Sequence, residues 1–546
     1  LTPYENIQAR IYAVPKATPE WILVGINDRD PRIHDVYRLN IETGERELVQ
    51  ENPGDIAGWM ADLDGNLRLA SRVTDDGGTE ILRVEGDELV SVYRCEPAET
   101  ISPMRFHPDG ERVWMSTNCG EGVDLARLVL FDPGTGEMEV VESDPEGEVD
   151  FGGAIFSEVD DRLLATTYTG DRVRIYPKDS VFEKDVERLR EAGLDGDLFF
   201  RTPTRDDRIW IVKNIVDVDE GPNYLYDRET GEVELLYRPQ PWIPTEHMAP
   251  MEPVRYTARD GETIPAYLTL PKGVEPKNLA VVVMPHGGPW GRDAWGFNEN
   301  AQFLANRGYA VLQPNFRSSA GFGKRFLALG DRTWGTGPMQ HDITDGAKWL
   351  VEKGIADPDR IAIMGGSYGG YATLAGVAFT PELYAAGVDI VGPSNIITLL
   401  NTIPPYWEPL VAMWHERVGD PSDPEDRARL EAQSPLNSAT EIVAPLLVIQ
   451  GANDPRVKKS ESDQIVAALH ELDRDVEYLV APDEGHGFAG ELNTLAMYAS
   501  IERFLAKHLG GRYQENMRPE IEERLRALTV DPATVEPPAA AQAGGR

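Results

Sequence analysis

Cysteine and basic charge are both scarce in this sequence of 546 residues. The two cysteines, Cys95 and Cys119, are too few for a disulfide framework, and we expect two small buried thiols. The 53 basic residues stand against 92 acidic ones, and the net charge of −39 argues against nucleic acid and anionic membranes as partners. The sequence contains no run of about 18 apolar residues, so no membrane-spanning segment is predicted.

The composition is otherwise that of an ordinary globular protein, with 41% hydrophobic and 27% charged residues. At 546 residues the chain is too long for one hydrophobic core, so two or three domains are expected. The sequence begins without a signal peptide, but this says little about the compartment, because the true N-terminus is expected to be missing; the compartment is left unknown, with the cytoplasm favoured. The opening L-T-P-Y-E-N resembles the end of a strand, and we expect that residues before it are missing.

The first half repeats one pattern: an alternating strand, a turn with glycine and a second alternating strand. The pattern occurs at Val36–Val49, Leu128–Val141 and Tyr224–Leu236. Acidic turn markers recur at roughly 45–50 residues, the length of a four-stranded propeller blade. About five blades fit before the proline-rich residues 239–253, with one helical interruption near Val181–Ala192. The pattern predicts a β-propeller, and a β-sandwich or unrelated hairpins are the alternative.

The second half alternates strands and helices. Short apolar strands are predicted at Leu279–Met284, Ile361–Met364 and Leu446–Gln450, with helices between them. This alternation favours a mostly parallel, doubly wound sheet.

We therefore predict a multidomain β plus α/β protein. Residues 1–245 form an N-terminal β-propeller with about five visible blades, which we expect to be truncated at its N-terminus, and residues 246–510 form a C-terminal α/β-hydrolase domain. Residues 511–546 form a charged and then proline- and alanine-rich tail, whose end we expect to be disordered.

The hydrolase prediction depends on R-I-A-I-M-G-G-S-Y-G-G-Y-A at Arg360–Ala372. This stretch contains G-x-S-x-G between an apolar strand and a helix, the context of a nucleophile elbow. The glycines are needed because side chains two residues either side of Ser367 would collide in so tight a turn. The helix directs its first amide, the Tyr368 N–H, at the position where a substrate oxyanion forms. Ser367 is therefore the candidate nucleophile.

An acid and a base follow in the order of an α/β-hydrolase triad. Asp454 and His486 lie on loops that directly follow two predicted strands. In this triad His486 takes the proton of Ser367, and Asp454 fixes the imidazole tautomer. Two rival acids, Asp389 and Asp483, are interpreted as structural or solvated.

The second oxyanion donor is expected on the loop after the first central strand. In that loop, M-P-H-G-G-P-W at Met284–Trp290, a glycine amide can approach the substrate closely, and Gly288 is our candidate. His286 is interpreted as an orienting structural residue rather than a second base. The sequence shows no cluster of metal ligands and no phosphate-binding glycine loop that ends in lysine, so neither a metal nor a cofactor is predicted.

An apolar pocket for the substrate residue before the scissile bond is predicted from aromatic residues. Trp290 and Phe316 follow strand ends, and Tyr406 and Trp407 lie in Ile396–Trp414 between two catalytic strands. A helical insertion that packs on the core is the alternative for most of these residues.

With these residues the chain resembles the prolyl oligopeptidase family of serine peptidases, and in particular its acylaminoacyl-peptidase and dipeptidyl-aminopeptidase-like bacterial branch. The motifs that carry the resemblance are H-G-G-P at 286–289, P-N-F-R-S-S-A-G-F-G at 314–323, G-G-S-Y-G-G-Y at 365–371, G-A-N-D-P-R-V at 451–457 and E-G-H-G-F at 484–488. The resemblance implies a propeller over a hydrolase domain, the triad Ser367, Asp454 and His486, and an oxyanion hole of the Tyr368 and Gly288 amides.

The resemblance also implies a serine peptidase that cleaves short peptides, without metal or cofactor. The family propeller usually has more blades than are visible here. Dipeptidyl members hold the substrate amine with a glutamate pair on the propeller. Asp217, Asp219 and Glu220 lie in that half but match poorly, so the acylaminoacyl and dipeptidyl types both stay open.

Two other functions stay open. One is a carboxylesterase with a propeller cap, and the other is a propeller interaction protein with an inactive hydrolase domain. The expected partner is a short peptide substrate, with no nucleic acid and no membrane, and assembly into a homo-oligomer stays open.

Overall fold

The computed structural model describes residue 5, residues 7–201 and residues 203–536. The expectations for the opening L-T-P-Y-E-N, apart from Glu5, and for residues 537–546 lie outside the described residues. The described chain forms five small sheets followed by one nine-stranded sheet. This is the predicted order of a five-bladed β-propeller and an α/β-hydrolase domain, so the predicted fold class is confirmed.

Each propeller blade is an antiparallel sheet whose strands follow one another along the chain. Blade 1 contains β1 (Ala9–Ala13), β2 (Trp21–Ile26), β3 (Asp35–Asn40) and β4 (Arg46–Gln50). Blade 2 contains β5 (Ile56–Ala61), β6 (Leu67–Val73), β7 (Thr79–Glu85) and β8 (Glu88–Cys95). Blade 3 contains β9 (Ile101–Phe106), β10 (Val113–Thr117), β11 (Arg127–Phe131) and β12 (Met138–Glu142). Two of the hairpins that carried the prediction are β3–β4 and β11–β12, and the third, at Tyr224–Leu236, lies in blade 5.

Blade 4 has three strands and is followed by a helix. Its strands are β13 (Phe151–Phe156), β14 (Leu163–Thr169) and β15 (Val173–Pro177), and the helix is α1 (Ser180–Glu191). Blade 5 contains β16 (Asp197–Arg201), β17 (Ile209–Ile215), β18 (Asn223–Asp227) and β19 (Glu232–Tyr237). Helix α1 is the helical interruption predicted near Val181–Ala192.

Apolar clusters join consecutive blades. The cluster between blades 1 and 2 includes Val36 and Leu82, and the cluster between blades 3 and 4 includes Leu128 and Tyr168, all fully buried. Similar clusters lie between blades 2 and 3 and between blades 4 and 5. Burial of each such side chain contributes about 1.5–3 kcal/mol, so the blades are stabilised chiefly by their neighbours.

The expectation of two free thiols is wrong, because Cys95 and Cys119 form a disulfide with Cα atoms 5.6 Å apart. Cys95 ends β8 in blade 2, and Cys119 follows β10 in blade 3. The bond therefore depends on how two blades stack, which spacing along the chain does not reveal. Cys95, Cys119 and Glu99 lie close enough together to be potential metal ligands, and they are the group of this kind found among the described residues. However, sulfur atoms in a disulfide cannot act as thiolate ligands.

The nine-stranded sheet has the order β20-β21-β23-β22-β24-β25-β26-β27-β28. Its six central strands, β22 to β27, are parallel, and apolar clusters cover both faces. The strands are β20 (Met251–Thr257), β21 (Thr263–Thr269), β22 (Leu279–Val283), β23 (Ala310–Pro314), β24 (Ala356–Gly366), β25 (Ala386–Ile390), β26 (Leu446–Gly451), β27 (Val476–Ala481) and β28 (Thr529–Val530). Buried parallel strands place their carboxyl ends at one edge, where loops can form a site.

Helices connect these strands. They are α2 (Glu299–Asn306), α3 (Gly323–Ala328), α4 (Pro338–Glu352), α5 (Tyr368–Phe379), α6 (Ile396–Asn401), α7 (Val411–Arg417), α8 (Pro424–Ala432), α9 (Lys459–Glu471), α10 (Glu491–Leu509) and α11 (Pro519–Leu528). Short 3-10 helices lie at Thr245–His247, Pro405–Leu410, Pro435–Glu441 and Pro532–Thr534. Among the described residues, none of the helices has both the length and the apolar character that crossing a membrane requires.

Part of the predicted tail contributes to the hydrolase sheet. Ile521 and Leu528 of α11 are buried in one of the two apolar clusters, and β28 pairs with β27. The boundary predicted between residues 245 and 246 falls between β19 and β20. Both domain boundaries stay predictions, and we propose that the hydrolase domain extends beyond residue 510 to Val530.

Cationic side chains of the hydrolase part reach into the propeller. Lys324 Nζ donates a hydrogen bond to Glu99 Oε1 at 2.9 Å, and Arg417 Nη2 donates to the Pro97 carbonyl at 3.0 Å. Arg292 donates to a backbone carbonyl at the end of β14 at 2.9 Å. These contacts hold blades 2 to 4 over the loops at the carboxyl edge of the sheet.

A buried ion pair fixes the loop after β23. The Arg317 side chain is 3% exposed, and its Nε and Nη2 donate hydrogen bonds of 2.6 to 3.1 Å to Asp342 on α4. Burial raises the pKa of Asp342 to about 6, although the hydrogen bonds from Arg317 act in the opposite direction. Without its arginine, Asp342 would be a buried acid with no cationic partner from this loop.

The substitution Arg317→Ala should lower the free energy of unfolding of the hydrolase domain by about 3–5 kcal/mol, because it leaves Asp342 unpaired. Arg259→Ala is the matched control, since Arg259 pairs with Asp345 on the same helix but its side chain is 43% exposed. That substitution should cost at most about 1 kcal/mol. Urea unfolding followed by circular dichroism measures both, and equal losses would contradict the assignment.

Candidate active site

Ser367 stands at the sharp turn between β24 and α5. Its φ of 58° and ψ of −119° lie in a region that residues with a side chain rarely adopt. A Cβ at Gly365 would come within 2.5 Å of the Gly369 backbone, and a Cβ at Gly369 would collide with the Pro285 carbonyl. The Ser367 N–H donates to a carbonyl of β25 at 2.9 Å. The turn therefore requires glycine at both positions.

Asp454 and His486 lie on neighbouring loops, after β26 and β27. His486 Nδ1 is 2.6 Å from Asp454 Oδ2. Because a carboxylate only accepts, Nδ1 carries the proton and Nε2 is left as an acceptor. The other Asp454 oxygen accepts the backbone N–H groups of Arg456 and Val457 at 2.8 and 3.0 Å, which fix the carboxylate in place.

The three predicted triad residues lie at one edge of the sheet, because β24, β25, β26 and β27 are consecutive neighbours. The hydrogen bonds of the described residues include none from Ser367 Oγ to His486. In enzymes this bond is often long until the substrate is bound. The candidate base His486 and the candidate acid Asp454 are thus at hydrogen-bond distance, and the candidate nucleophile Ser367 follows a strand that ends at the same edge.

The two rival acids are engaged elsewhere. Asp389 is fully buried beneath the elbow, where Oδ1 accepts the Gly392 N–H at 2.9 Å and burial raises the pKa of the carboxyl to about 8. Asp483 forms a 2.6 Å ion pair with Arg524 at the surface. Neither carboxyl accepts a hydrogen bond from His486 among the described residues, which agrees with their interpretation as structural or solvated acids.

The H-G-G-P loop passes close to the elbow. A Cβ at Gly287 would lie 3.5 Å from the Ser367 Cβ. Gly288 is exposed with a φ of 137°, and a Cβ there would lie 2.6 Å from the Trp290 nitrogen. The backbone thus approaches the nucleophile where the sequence predicts the second oxyanion donor, opposite the Tyr368 amide that begins α5.

His286 is held as the sequence interpretation expects. Its Nε2 lies 2.7 Å from the Ser319 hydroxyl, and its ring stacks on Phe316 with centroids 4.4 Å apart. Burial lowers the pKa of His286 to about 4, so the ring is neutral at ordinary pH. A neutral ring fixed on both sides orients the loop.

Aromatic rings form a continuous group beside the elbow. Trp334 lies 4.9 Å from Tyr368 and 6.3 Å from Trp414, measured between ring centroids. Trp414 in turn lies 5.0 Å from Trp290 and 5.6 Å from Trp407. The predicted pocket residues Trp290 and Trp407 therefore belong to one group that reaches the residue after Ser367.

The other two predicted pocket residues differ in exposure. Tyr406 lies 6.0 Å from Trp407 and is 36% exposed. Phe316 is 0% exposed, stacked between His286 and Tyr368, so it supports the elbow from the core and has no surface for a substrate.

Sequence reasoning missed two side chains of this region. Trp334 precedes α4, away from any strand end, so no motif marks it. Arg456 is exposed, and its guanidinium lies over the Trp407 ring at 6.0 Å. Its position two residues after Asp454 could have identified it from the sequence as a residue near the site. It gives the mouth of the site a positive charge in a strongly acidic protein.

The three acidic residues considered for amine binding have different surroundings. Asp217 accepts the Met251 N–H at 2.8 Å, and Asp219 is paired with Arg238. Glu220 Oε2 is buried and has no hydrogen-bond partner among the described residues. The first two acids thus hold the linker to the hydrolase domain.

Comparisons with known proteins show which proteins this chain resembles. A profile described as prolyl oligopeptidase family matches residues 295–512. Dipeptidyl aminopeptidase BIII of Pseudoxanthomonas mexicana is 40% identical over 526 residues, which cover 94% of this chain and 75% of that protein. The acylamino-acid-releasing enzyme of Arabidopsis thaliana is 30% identical over 213 residues, 38% of this chain and 27% of that one.

A solved structure shares the fold. A puromycin-hydrolyzing peptidase of Mycobacterium tuberculosis superposes with a TM-score of 0.75 at 21% identity, covering 93% of this chain and 80% of that chain. The similarity to the Pseudoxanthomonas protein spans both the propeller and the hydrolase part, and the motif residues lie at one edge of the sheet. The chain belongs to the prolyl oligopeptidase family of serine peptidases.

Proposed function

We propose that this chain is a dipeptidyl aminopeptidase, a serine peptidase that releases dipeptides from the free amino end of short peptides. The observation that carries the proposal is the 2.6 Å contact between His486 Nδ1 and Asp454 Oδ2, at the sheet edge where Ser367 turns into α5. An intact acid–base pair beside a strained serine argues against an inactive hydrolase domain.

In the proposed reaction Ser367 Oγ attacks the carbonyl carbon of the second substrate residue, and its proton passes to His486 Nε2. Asp454 stabilises the imidazolium, and the Tyr368 and Gly288 amides bind the oxyanion. The imidazolium then gives its proton to the leaving amine as the peptide C–N bond breaks. A water molecule, deprotonated by His486, attacks the acyl-enzyme and releases the dipeptide.

The dipeptidyl type is favoured over the acylaminoacyl type by the extent of the similarity. The dipeptidyl aminopeptidase covers 94% of this chain, propeller included, whereas the acylamino-acid-releasing enzyme covers 38%. A net charge of −39 attracts the cationic amino end of a free peptide and gives a blocked peptide no such advantage. A carboxylesterase stays the alternative among hydrolases, and self-association into a homo-oligomer stays a prediction.

A panel of fluorogenic dipeptide amides tests the specificity. We expect substrates with a free amine to be cleaved at least about tenfold faster, in kcat/KM, than their N-acetylated copies, because the amine adds a charged contact. A phenylalanine before the scissile bond should be preferred over aspartate by about tenfold, because the rings of Trp290 and Trp407 offer apolar surface that a phenyl group buries and a carboxylate does not.

The same panel identifies the alternatives. Faster cleavage of the acetylated copies would replace the proposal with an acylaminoacyl peptidase. If the matching esters are hydrolysed and none of the amides is, the protein is a carboxylesterase and the peptidase proposal is wrong. Equal rates with phenylalanine and aspartate would remove the apolar pocket from the proposal.

The triad roles are tested by substitution. Ser367→Ala and His486→Ala should each lower kcat by a factor on the order of 10⁴–10⁶, and Asp454→Asn should be somewhat milder, because the three groups act as a unit. The exposed Ser143 of the propeller offers the matched control Ser143→Ala, which should leave kcat unchanged. More than a tenth of wild-type activity in Ser367→Ala would contradict the assignment.

We also propose that the chain resides in an oxidising compartment, in place of the cytoplasm favoured at the level of the sequence. The Cys95–Cys119 disulfide is the reason, since such bonds persist in oxidising compartments and are rare in the cytosol. Alkylation of thiols in intact producing cells, followed by mass spectrometry, should recover the two cysteines as a linked peptide pair. Recovery of both as alkylated thiols would contradict the proposal.

A further inference from the structure

Glu461 is a buried carboxylate that the triad does not use. It lies in the first turn of α9, seven residues after Asp454, and is 1% exposed. Burial raises its pKa to about 7. No lysine, arginine or histidine forms an ion pair with it among the described residues, and the acid that faces it is the buried Asp389 of β25. The group is therefore held by neutral hydrogen-bond donors.

Three of those donors come from the loop before α6 and from its first turn, and the fourth comes from α9 itself. Glu461 Oε2 accepts the backbone N–H groups of Ser394 and Asn395 at 3.1 and 3.0 Å. Oε1 accepts the hydroxyl of Thr398, and the Gln464 amide donates to Oε2 at 2.9 Å. One side chain on α9 thus fixes the residues that begin α6.

The next residue of α9 holds the loop of the catalytic acid. Ser462 Oγ donates to Gln450 Oε1 at 2.9 Å. The Gln450 amide then donates to the Gly451 and Val457 carbonyls at 3.0 and 3.1 Å, on either side of Asp454. Two consecutive residues therefore tie the acid loop and the start of α6 to the same helical turn.

Helix α6 leads directly into the aromatic segment. It ends at Asn401, and the 3-10 helix Pro405–Leu410 that follows carries Tyr406 and Trp407. Trp407 stacks on Trp414, with centroids 5.6 Å apart. A shift at the beginning of α6 is therefore transmitted along a short connection to the rings beside Ser367.

We propose that Glu461 is a positioning residue for the substrate pocket: by fixing the start of α6 it sets the place of Trp407 and so the KM for substrates with a large apolar residue before the scissile bond. The inference rests on the proposed function, because it assigns a support to that pocket. Glu461 has no part in the chemical step.

The position requires acceptor geometry rather than charge. In Glu461→Gln the amide oxygen still accepts the Ser394 and Asn395 N–H groups, and the amide NH₂ donates to Thr398 Oγ1. The Thr398 hydroxyl has a second acceptor in the Asn395 carbonyl at 3.0 Å, so every group stays paired. In Glu461→Ala the Ser394 and Asn395 N–H groups lose their acceptor, which is costly.

The test compares Glu461→Ala, Glu461→Gln and the control Glu471→Ala, an exposed glutamate at the end of the same helix. Glu461→Ala should raise KM for a phenylalanine substrate about tenfold and for an alanine substrate by less than about twofold, with kcat unchanged. Glu461→Gln and Glu471→Ala should keep the wild-type KM for both. Labelling of Ser367 by a small fluorophosphonate should keep its rate in all three variants.

The outcomes separate the two proposals. Failure of the wild type to cleave either peptide overturns the proposed function. With an active wild type, two results for Glu461→Ala would overturn the positioning role. One is an unchanged ratio of the two KM values, and the other is a fall in kcat and in the labelling rate as large as the rise in KM. If Glu461→Ala does not fold, Thr398→Val removes one donor at constant shape and should raise the phenylalanine KM about threefold. No change in that variant would also overturn the inference.

Discussion

The backbone turn at Ser367 is the constraint on which the rest of the site depends. Its φ of 58° places the hydroxyl at the edge of the sheet and starts α5 at the next residue. The turn survives because Gly365 and Gly369 have no side chains to collide with their surroundings. Strain of this kind costs on the order of 1–3 kcal/mol and persists where neighbouring structure enforces it. Here the enforcement comes from β25, whose carbonyl accepts the Ser367 N–H.

The strands next to β24 position the remaining residues of the site. Each parallel strand ends in a loop at the same edge, so the elbow after β24, the candidate acid after β26 and the candidate base after β27 lie at one edge of the sheet. The propeller is held over this edge by arginine and lysine side chains that reach its carbonyls and carboxylates. In a chain with a net charge of −39, Lys324 joins the two parts through an ion pair with Glu99, and the two arginines do so through backbone carbonyls.

The propeller hairpins and the nucleophile elbow could be predicted from the sequence, because each depends on residues that are close together along the chain. The hairpins at Val36–Val49 and Leu128–Val141 follow from alternating residues around a glycine turn, and the elbow follows from its glycines. The pairing of Cys95 with Cys119 was missed because it depends on the stacking of two blades. Trp334 and Glu461 were missed because their partners are distant along the chain, and α11 because a short charged helix resembles a tail.

The central claim is that Ser367 is a nucleophile activated by His486. A fluorophosphonate reacts covalently with such a serine, and peptide mass mapping locates the adduct. The account predicts one adduct, on the peptide that contains Ser367, and a loss of nearly all labelling in His486→Ala. An unlabelled wild-type protein, or an adduct on a different serine, would contradict it.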